Sequence, residues 1–234
     1  MEGVTTYTYD AVNQLTEETN AIGATHAYEY NSENLLETYT DAKEEVTEYT
    51  YNKAGRLTQV KDDAGTIRYA HDSNGNVLTV KDSNGVIQRT FDALNRVTSY
   101  TDSNDNTITY TYNCMGYVAT IQYPNGDVIT YHYYDNGKLK SVTDADGNIT
   151  SYVYDGNGAV TEQKNSDGTT DTYTYDGVGQ LISQQVVKDE KIISYITYTY
   201  DEAGNVVSKE SSQQEGTIET ISSVTMTYDA ESYV

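Results

Sequence analysis

Large apolar side chains other than tyrosine are scarce in this sequence, whose 234 residues include no tryptophan, one phenylalanine and three methionines. Cations are scarce too, 14 Lys and Arg against 36 Asp and Glu, for a formal net charge of -22. A surface this acidic repels phosphate backbones and anionic headgroups, which argues against binding to nucleic acid or to a membrane surface, and membrane insertion is not expected either. The single cysteine, Cys114, excludes an intrachain disulfide; with no His or Asp motif beside it, it reads as a small apolar filler. No stretch approaches the ~18 apolar residues of a membrane span, and no signal peptide opens the chain. A sustained helical period is missing, as are a Gly-x-Ser-x-Gly elbow and a phosphate loop.

What is present in abundance is tyrosine, with 25 copies. Together with regularly placed Val, Ile and Leu, these rings argue against disorder despite the charge. Each ring also brings a hydroxyl that needs a partner or water.

Aligning the chain on itself exposes the reason for their number. With the second aromatic of each Tyr-x-Tyr pair as anchor, the copies fall at Tyr9, Tyr30, Tyr51, His71, Phe91, Tyr112, Tyr133, Tyr154, Tyr175, Tyr200 and Tyr228. The gaps are 21, 21, 20, 20, 21, 21, 21, 21, 25 and 28 residues. We read residues 1–234 as a single array of about ten repeats whose copies loosen in length after about residue 182. The first residues enter in mid-pattern and the last break off inside a copy, as expected of a piece of a longer protein.

Four places after the anchor stand Asn13, Asn34, Gly55, Gly75, Asn95, Gly116, Gly137, Gly158, Gly179 and Gly204. These two residue types tolerate positive φ most readily, so each copy is expected to need a left-handed backbone there. Six places after the anchor every copy has an aliphatic, among them Leu57, Leu139 and Leu181, ending with Val234. Tyr-x-Tyr has period two, which sets both rings on one face of a strand. The Asp or Asn that follows, then two residues, then Gly or Asn, fits a short hairpin loop. A second strand and a second turn such as Asp144-Ala-Asp-Gly147 complete an antiparallel meander.

About twenty strands at ~4.8 Å would extend roughly 95 Å side by side. Open sheets seldom exceed ~10 strands without curling or splitting. The expected class is therefore all-β, tandem hairpin repeats forming a curved or spiralling sheet around a space roughly 30 Å across. The alternative is two stacked sheets, but a dry sandwich would want more Phe, Leu and Ile than this composition supplies.

The run Tyr51-Asn-Lys-Ala-Gly-Arg-Leu-Thr58, with Tyr175-Asp-Gly-Val-Gly-Gln-Leu181 and Tyr200-Asp-Glu-Ala-Gly-Asn-Val206, resembles the YD repeat of RHS proteins. That family includes polymorphic toxins, cocoon subunits of toxin complexes, wall-associated proteins and teneurins. The resemblance covers essentially the whole chain and implies a segment of a spiralling shell. In bacterial members such a shell encloses a C-terminal toxic polypeptide. It also implies a secreted or cell-surface location, with the rest of the parent chain and its enclosed polypeptide as partners. His71 and Phe91 at the anchor, and Tyr134 where an Asp would follow Tyr133, depart from the pattern; no closing region or cargo is found.

The Asp-rich turns at Asp72–Asn76, Asp102–Asn106 and Asp144–Asn148 invite a calcium reading. They lack the twelve-residue loop and terminal Glu of an EF-hand, and Asp, Asn and Gly are what hairpin turns need anyway. The three histidines lie in different copies without the spacing of a metal clip. The chain thus reads as a non-catalytic wall module needing no cofactor. Its structural positions are Tyr30, Tyr51, Tyr112, Tyr133, Tyr154, Tyr175 and Tyr200, the glycines Gly55, Gly75, Gly116, Gly137, Gly158, Gly179 and Gly204, and the three leucines above. The alternative is an extended adhesive surface for carbohydrate or protein, with Tyr110 and Tyr131 as possible glycan contacts. Unpaired edges of such a strip would also favour edge-to-edge self-association.

Overall fold

The turn after the anchor ring is closed by its own Asx residue in every described copy except that of Tyr133. In the copy at Tyr30, the Asn31 N–H donates to the Leu35 carbonyl and the Asn34 N–H to the Asn31 carbonyl, both at 2.9 Å. The Asn31 Oδ1 accepts the N–H groups of Glu33 and Leu35. This is a type I turn followed by a left-handed residue, the usual three-residue hairpin loop. The computed structural model, which describes residues 4–215 and 218–227, repeats it along the chain. Asn13, Asn34 and Asn95 have φ of 65°, 62° and 61°, and the glycines from Gly55 to Gly204 in this register lie between 73° and 100°. The last copy, with Tyr228 and Val234, lies outside the described residues.

The described residues are strands and turns without a helix, in two compact units, Met1–Tyr110 and Thr111–Val234. The first holds β1 (Thr6–Tyr9), β2 (Leu15–Thr19), β3 (Thr25–Tyr30), β4 (Leu36–Thr40), β5 (Val46–Tyr51), β6 (Leu57–Asp62), β7 (Gly65–His71), β8 (Val77–Asp82), β9 (Gly85–Phe91), β10 (Val97–Thr101) and most of β11 (Thr107–Tyr112). The second holds β12 (Val118–Gln122), β13 (Val128–Tyr133), β14 (Leu139–Thr143), β15 (Ile149–Tyr154), β16 (Val160–Lys164), β17 (Thr170–Tyr175), β18 (Leu181–Lys188), β19 (Lys191–Tyr200), β20 (Val206–Glu215) and β21 (Ile218–Thr225). Within each unit every strand pairs antiparallel with its neighbour in sequence, a continuous meander.

The second turn of each copy explains the spacing. Where the period is 21 it repeats the first turn's geometry, as at Asp144, whose N–H donates to the Asn148 carbonyl. Where the period drops to 20 a two-residue loop replaces it, and Asp62 faces Gly65 and Asp82 faces Gly85 across the reversal. The 25-residue copy lengthens its strands instead. There β18 and β19 have 8 and 10 residues and meet at Asp189-Glu190, both with positive φ (49° and 64°).

Nine of the anchor hairpins also show a β-bulge. Tyr30 faces Leu36 and Glu29 faces Thr38, so Glu37 is the extra residue. The same offset recurs at Thr58, Lys140, Thr161 and Ile182. An extra residue reverses the alternation of the second strand. The face that carries Tyr28, Tyr30 and Leu36 therefore carries Tyr39 next, three places on instead of two, and Tyr28 faces Tyr39.

No hydrophobic side chain among the described residues is buried, and Ser212, at 5% exposure, is the one buried polar residue. Facing sheets would bury the side chains between them. Each unit is accordingly one sheet thick, stabilised by half-buried rings and ladders of hydrogen bonds.

Candidate functional site

The molecule has two chemically distinct faces in each unit, and the bulge keeps them separate. One face collects the Tyr-x-Tyr pairs, the aliphatic six places after the anchor and the residue nine places after it. Thus Tyr49 faces Val60, Tyr69 faces Val80 and Tyr131 faces Val142. Tyr152 and Tyr173 face Gln163 and Gln184, while Arg89 and Lys209 sit against the rings of Tyr100 and Tyr198. The other face is a field of Thr, Ser, Glu and Lys. Its hydroxyls pair across strands, with Thr19–Thr25 at 3.0 Å, Thr101–Thr107 at 2.8 Å and Thr199–Ser208 at 2.7 Å.

Successive copies are stapled by the anchor hydroxyls. The Tyr154 O–H donates to the Leu139 carbonyl at 2.9 Å, fifteen residues back, and Tyr30, Tyr133 and Tyr175 reach Leu15, Val118 and Val160 in the same way. Tyr200 spans nineteen residues to Leu181 at 2.7 Å, matching the longer copy. The reason is local. Only three residue pairs join β14 to β15, and Leu139 lies beyond them. Hairpins therefore separate at their anchor ends, and the ring of the next copy closes over the carbonyl left there. Burial raises the pKa of Tyr51, Tyr133, Tyr154 and Tyr200, with neighbouring tyrosines adding to it.

The departures from the repeat become legible in this frame. His71 fills an anchor slot on the tyrosine face opposite Val77, and its buried Nδ1 has no hydrogen-bond partner among the described residues. Phe91 faces Val97. Tyr134 keeps the turn's backbone bonds but sends its side chain to the next copy, where its hydroxyl meets the Tyr152 carbonyl and its ring meets Tyr154 edge-on. Lys138 and Lys140 stand over the Tyr154 and Tyr134 rings. Leu57 and Leu181 face Tyr51 and Tyr175, as Leu139 faces Tyr133.

In the Asp-rich turns the carboxylates are engaged by the turn itself. Asp72, Asp102 and Asp144 each accept two backbone N–H groups on Oδ1 and the amide of Asn76, Asn106 or Asn148 on Oδ2. The Asn side-chain bond is the largest influence holding these carboxyls below their ordinary pKa. No group of three or more His, Cys, Asp or Glu is placed to hold a metal among the described residues. Cys114 is exposed in a turn. Tyr110 and Tyr131 are half-buried and belong to different compact units. Reading the sequence missed the ninth-place residues and the bulge. The signal was there, since apolar positions six and nine after the anchor cannot share a face of an unbroken strand.

A one-layer sheet of stapled hairpins with a ring at every step is the wall of a repeat shell. The teneurin YD-shell family model matches residues 34–207, 174 of the 234 residues, and the chain belongs to that family. Among solved structures, the crystal structure of TcdB2-TccC3-Cdc42 is similar to 97% of this chain, with a TM-score of 0.69 at 16% identity. TcdB2-TccC3 without its hypervariable C-terminal region, and the Tc holotoxin pore of Photorhabdus luminescens with a mutation in TccC3, are each similar at 0.68, 16% and 97%. These likenesses show the fold. The chain spans 15% of each of those three chains. No curated protein matches it.

Proposed function

We propose that this chain is a non-catalytic wall segment of a secreted or cell-surface RHS-type protein, and that in the parent the shell encloses a C-terminal polypeptide. The observation that supports this most is the absence of a core among the described residues. A sheet with two partly open faces and 15,957 Å² of accessible surface, against about 10,500 Å² for a compact protein of 26.0 kDa, suits a partition better than a self-contained domain. The family supplies the context, since its members build shells from this repeat. Limited proteolysis of the parent protein tests the reading. The segment that follows the repeats should survive protease concentrations that digest it when it is expressed alone, and the variant Gly137→Val should expose it. Equal digestion of that segment inside and outside the parent would contradict enclosure.

A further inference from the structure

On the tyrosine face of the first unit a phenol meets a base. The Tyr39 hydroxyl lies 2.7 Å from His26 Nδ1, with the two rings stacked at 13° and 5.8 Å between centroids. Tyr28, which faces Tyr39 across β3 and β4, packs its own ring 5.3 Å from that of Tyr39. All three side chains are half-buried. Glu18 faces His26 from β2. Asp41, which opens the turn after β4, has a pKa lowered chiefly by the Glu45 N–H, and His26 adds to that lowering. A positive charge formed on His26 therefore has two carboxylates beside it, which favour it.

Removing one electron from a phenol is far easier when its O–H proton can leave at the same time to a base within hydrogen-bond reach. The staple hydroxyls have no such base. Tyr30, Tyr133, Tyr154, Tyr175 and Tyr200 donate to backbone carbonyls, which do not take up a proton, and Tyr195 meets the Glu210 carboxylate, a weaker base than imidazole. With its ring proton on Nε2, His26 presents Nδ1 as the acceptor for Tyr39. We propose that Tyr28 and Tyr39 form a site of oxidative cross-linking, in which a one-electron oxidant of the peroxidase class couples the two rings and His26 takes the Tyr39 proton. Each phenol gives up one electron and its O–H proton, Tyr39 to His26 and Tyr28 to water. The two phenoxyl radicals join through ring carbons next to the oxygens, and the hydrogens on those carbons move to the oxygens to restore both phenols. The net change is one carbon–carbon bond formed, two C–H bonds broken, and two protons and two electrons released, the electrons reducing two equivalents of oxidant. The product ties β3 covalently to β4.

A second tyrosine pair separates the base from mere proximity. Tyr117 and Tyr133 are closer and better stacked, at 5.0 Å and 28°, but the Tyr133 hydroxyl is held by the Val118 carbonyl. The dilute chain would be treated with a peroxidase and hydrogen peroxide, the monomer recovered, and the dityrosine mapped by mass spectrometry after cleavage at Glu and Asp, which parts the members of either pair. The Tyr28–Tyr39 link should predominate over Tyr117–Tyr133. In the variant His26→Gln, whose side chain accepts a hydrogen bond but not a proton, its initial rate should fall about tenfold with the circular dichroism unchanged. Tyr39→Phe should abolish it and leave the Tyr117–Tyr133 yield as it was. A predominant Tyr117–Tyr133 link would show that ring proximity governs the coupling and overturn the proposal. An undiminished rate in His26→Gln, or no link between Tyr28 and Tyr39, would overturn it as well.

Discussion

The anchor tyrosine does its structural work through one oxygen atom. Removing the Tyr154 hydroxyl leaves the ring in place but abandons the Leu139 carbonyl, and a hydrogen bond of this kind contributes about 1 kcal/mol. Tyr154→Phe should lower the thermal midpoint without changing the far-UV spectrum of the folded chain. An unchanged midpoint would mean that the staple contributes nothing. The glycines allow a second comparison. Gly137 and Gly179 have φ of 83° and 89°, so alanine at either site costs about 1–2 kcal/mol of left-handed strain. Space around Gly179 is open, whereas a Cβ on Gly137 would run into the Tyr117 hydroxyl, whose ring stacks on Tyr133. Gly137→Ala should therefore destabilise more than Gly179→Ala in denaturant unfolding, and equal losses would remove the steric part of the argument.

At the scale of the hairpin, two devices set the register, the Asx turn and the bulge, and they were unequally legible in sequence. Positions four and six after the anchor are nearly invariant in type along the chain, because a left-handed turn and a ring-facing aliphatic each admit few residues. The ninth position varies from Tyr39 and Val60 to Gln163 and Lys209, because a half-exposed site opposite a tyrosine accepts an apolar chain, an amide or a cation over the ring. Its pattern was diluted accordingly, and the bulge with it. The staple could not be read at all, since it joins residues fifteen apart through a side chain and a carbonyl. The turns also predict a pH response. Asp72, Asp102, Asp144 and Asp201 have folded-state pKa values below the ordinary carboxylate value, chiefly through their Asn partners. Across that interval the unfolded chain binds more protons, so this stabilisation is complete above about pH 3.9 and is lost as pH falls through the native values. Relief of acidic self-repulsion acts oppositely at mildly acid pH. Sheet structure should thus persist at pH 5 and melt cooperatively well below 3.9. Gradual loss beginning above pH 5, followed by circular dichroism, would contradict the turn assignment.

For the whole chain, the consequence of a one-layer fold is that stability accumulates from neighbour to neighbour instead of from a shared interior. The described residues pair β1 only with β2 and β21 only with β20, which leaves a strand edge in each unit able to accept another strand. Sedimentation velocity should show association that grows with concentration, and a single monomeric species at high concentration would count against open edges. The claim beneath all of this is that the copies repeat one bulged hairpin, stapled wherever an anchor hydroxyl reaches the preceding copy, in a sheet without a core. Residue-resolved amide hydrogen exchange tests it most directly. Protection should rise on the strands and fall at both turns with the 20- to 21-residue rhythm of the anchors. The coreless sheet would be contradicted by one deeply protected block flanked by unprotected chain, the signature of a packed core.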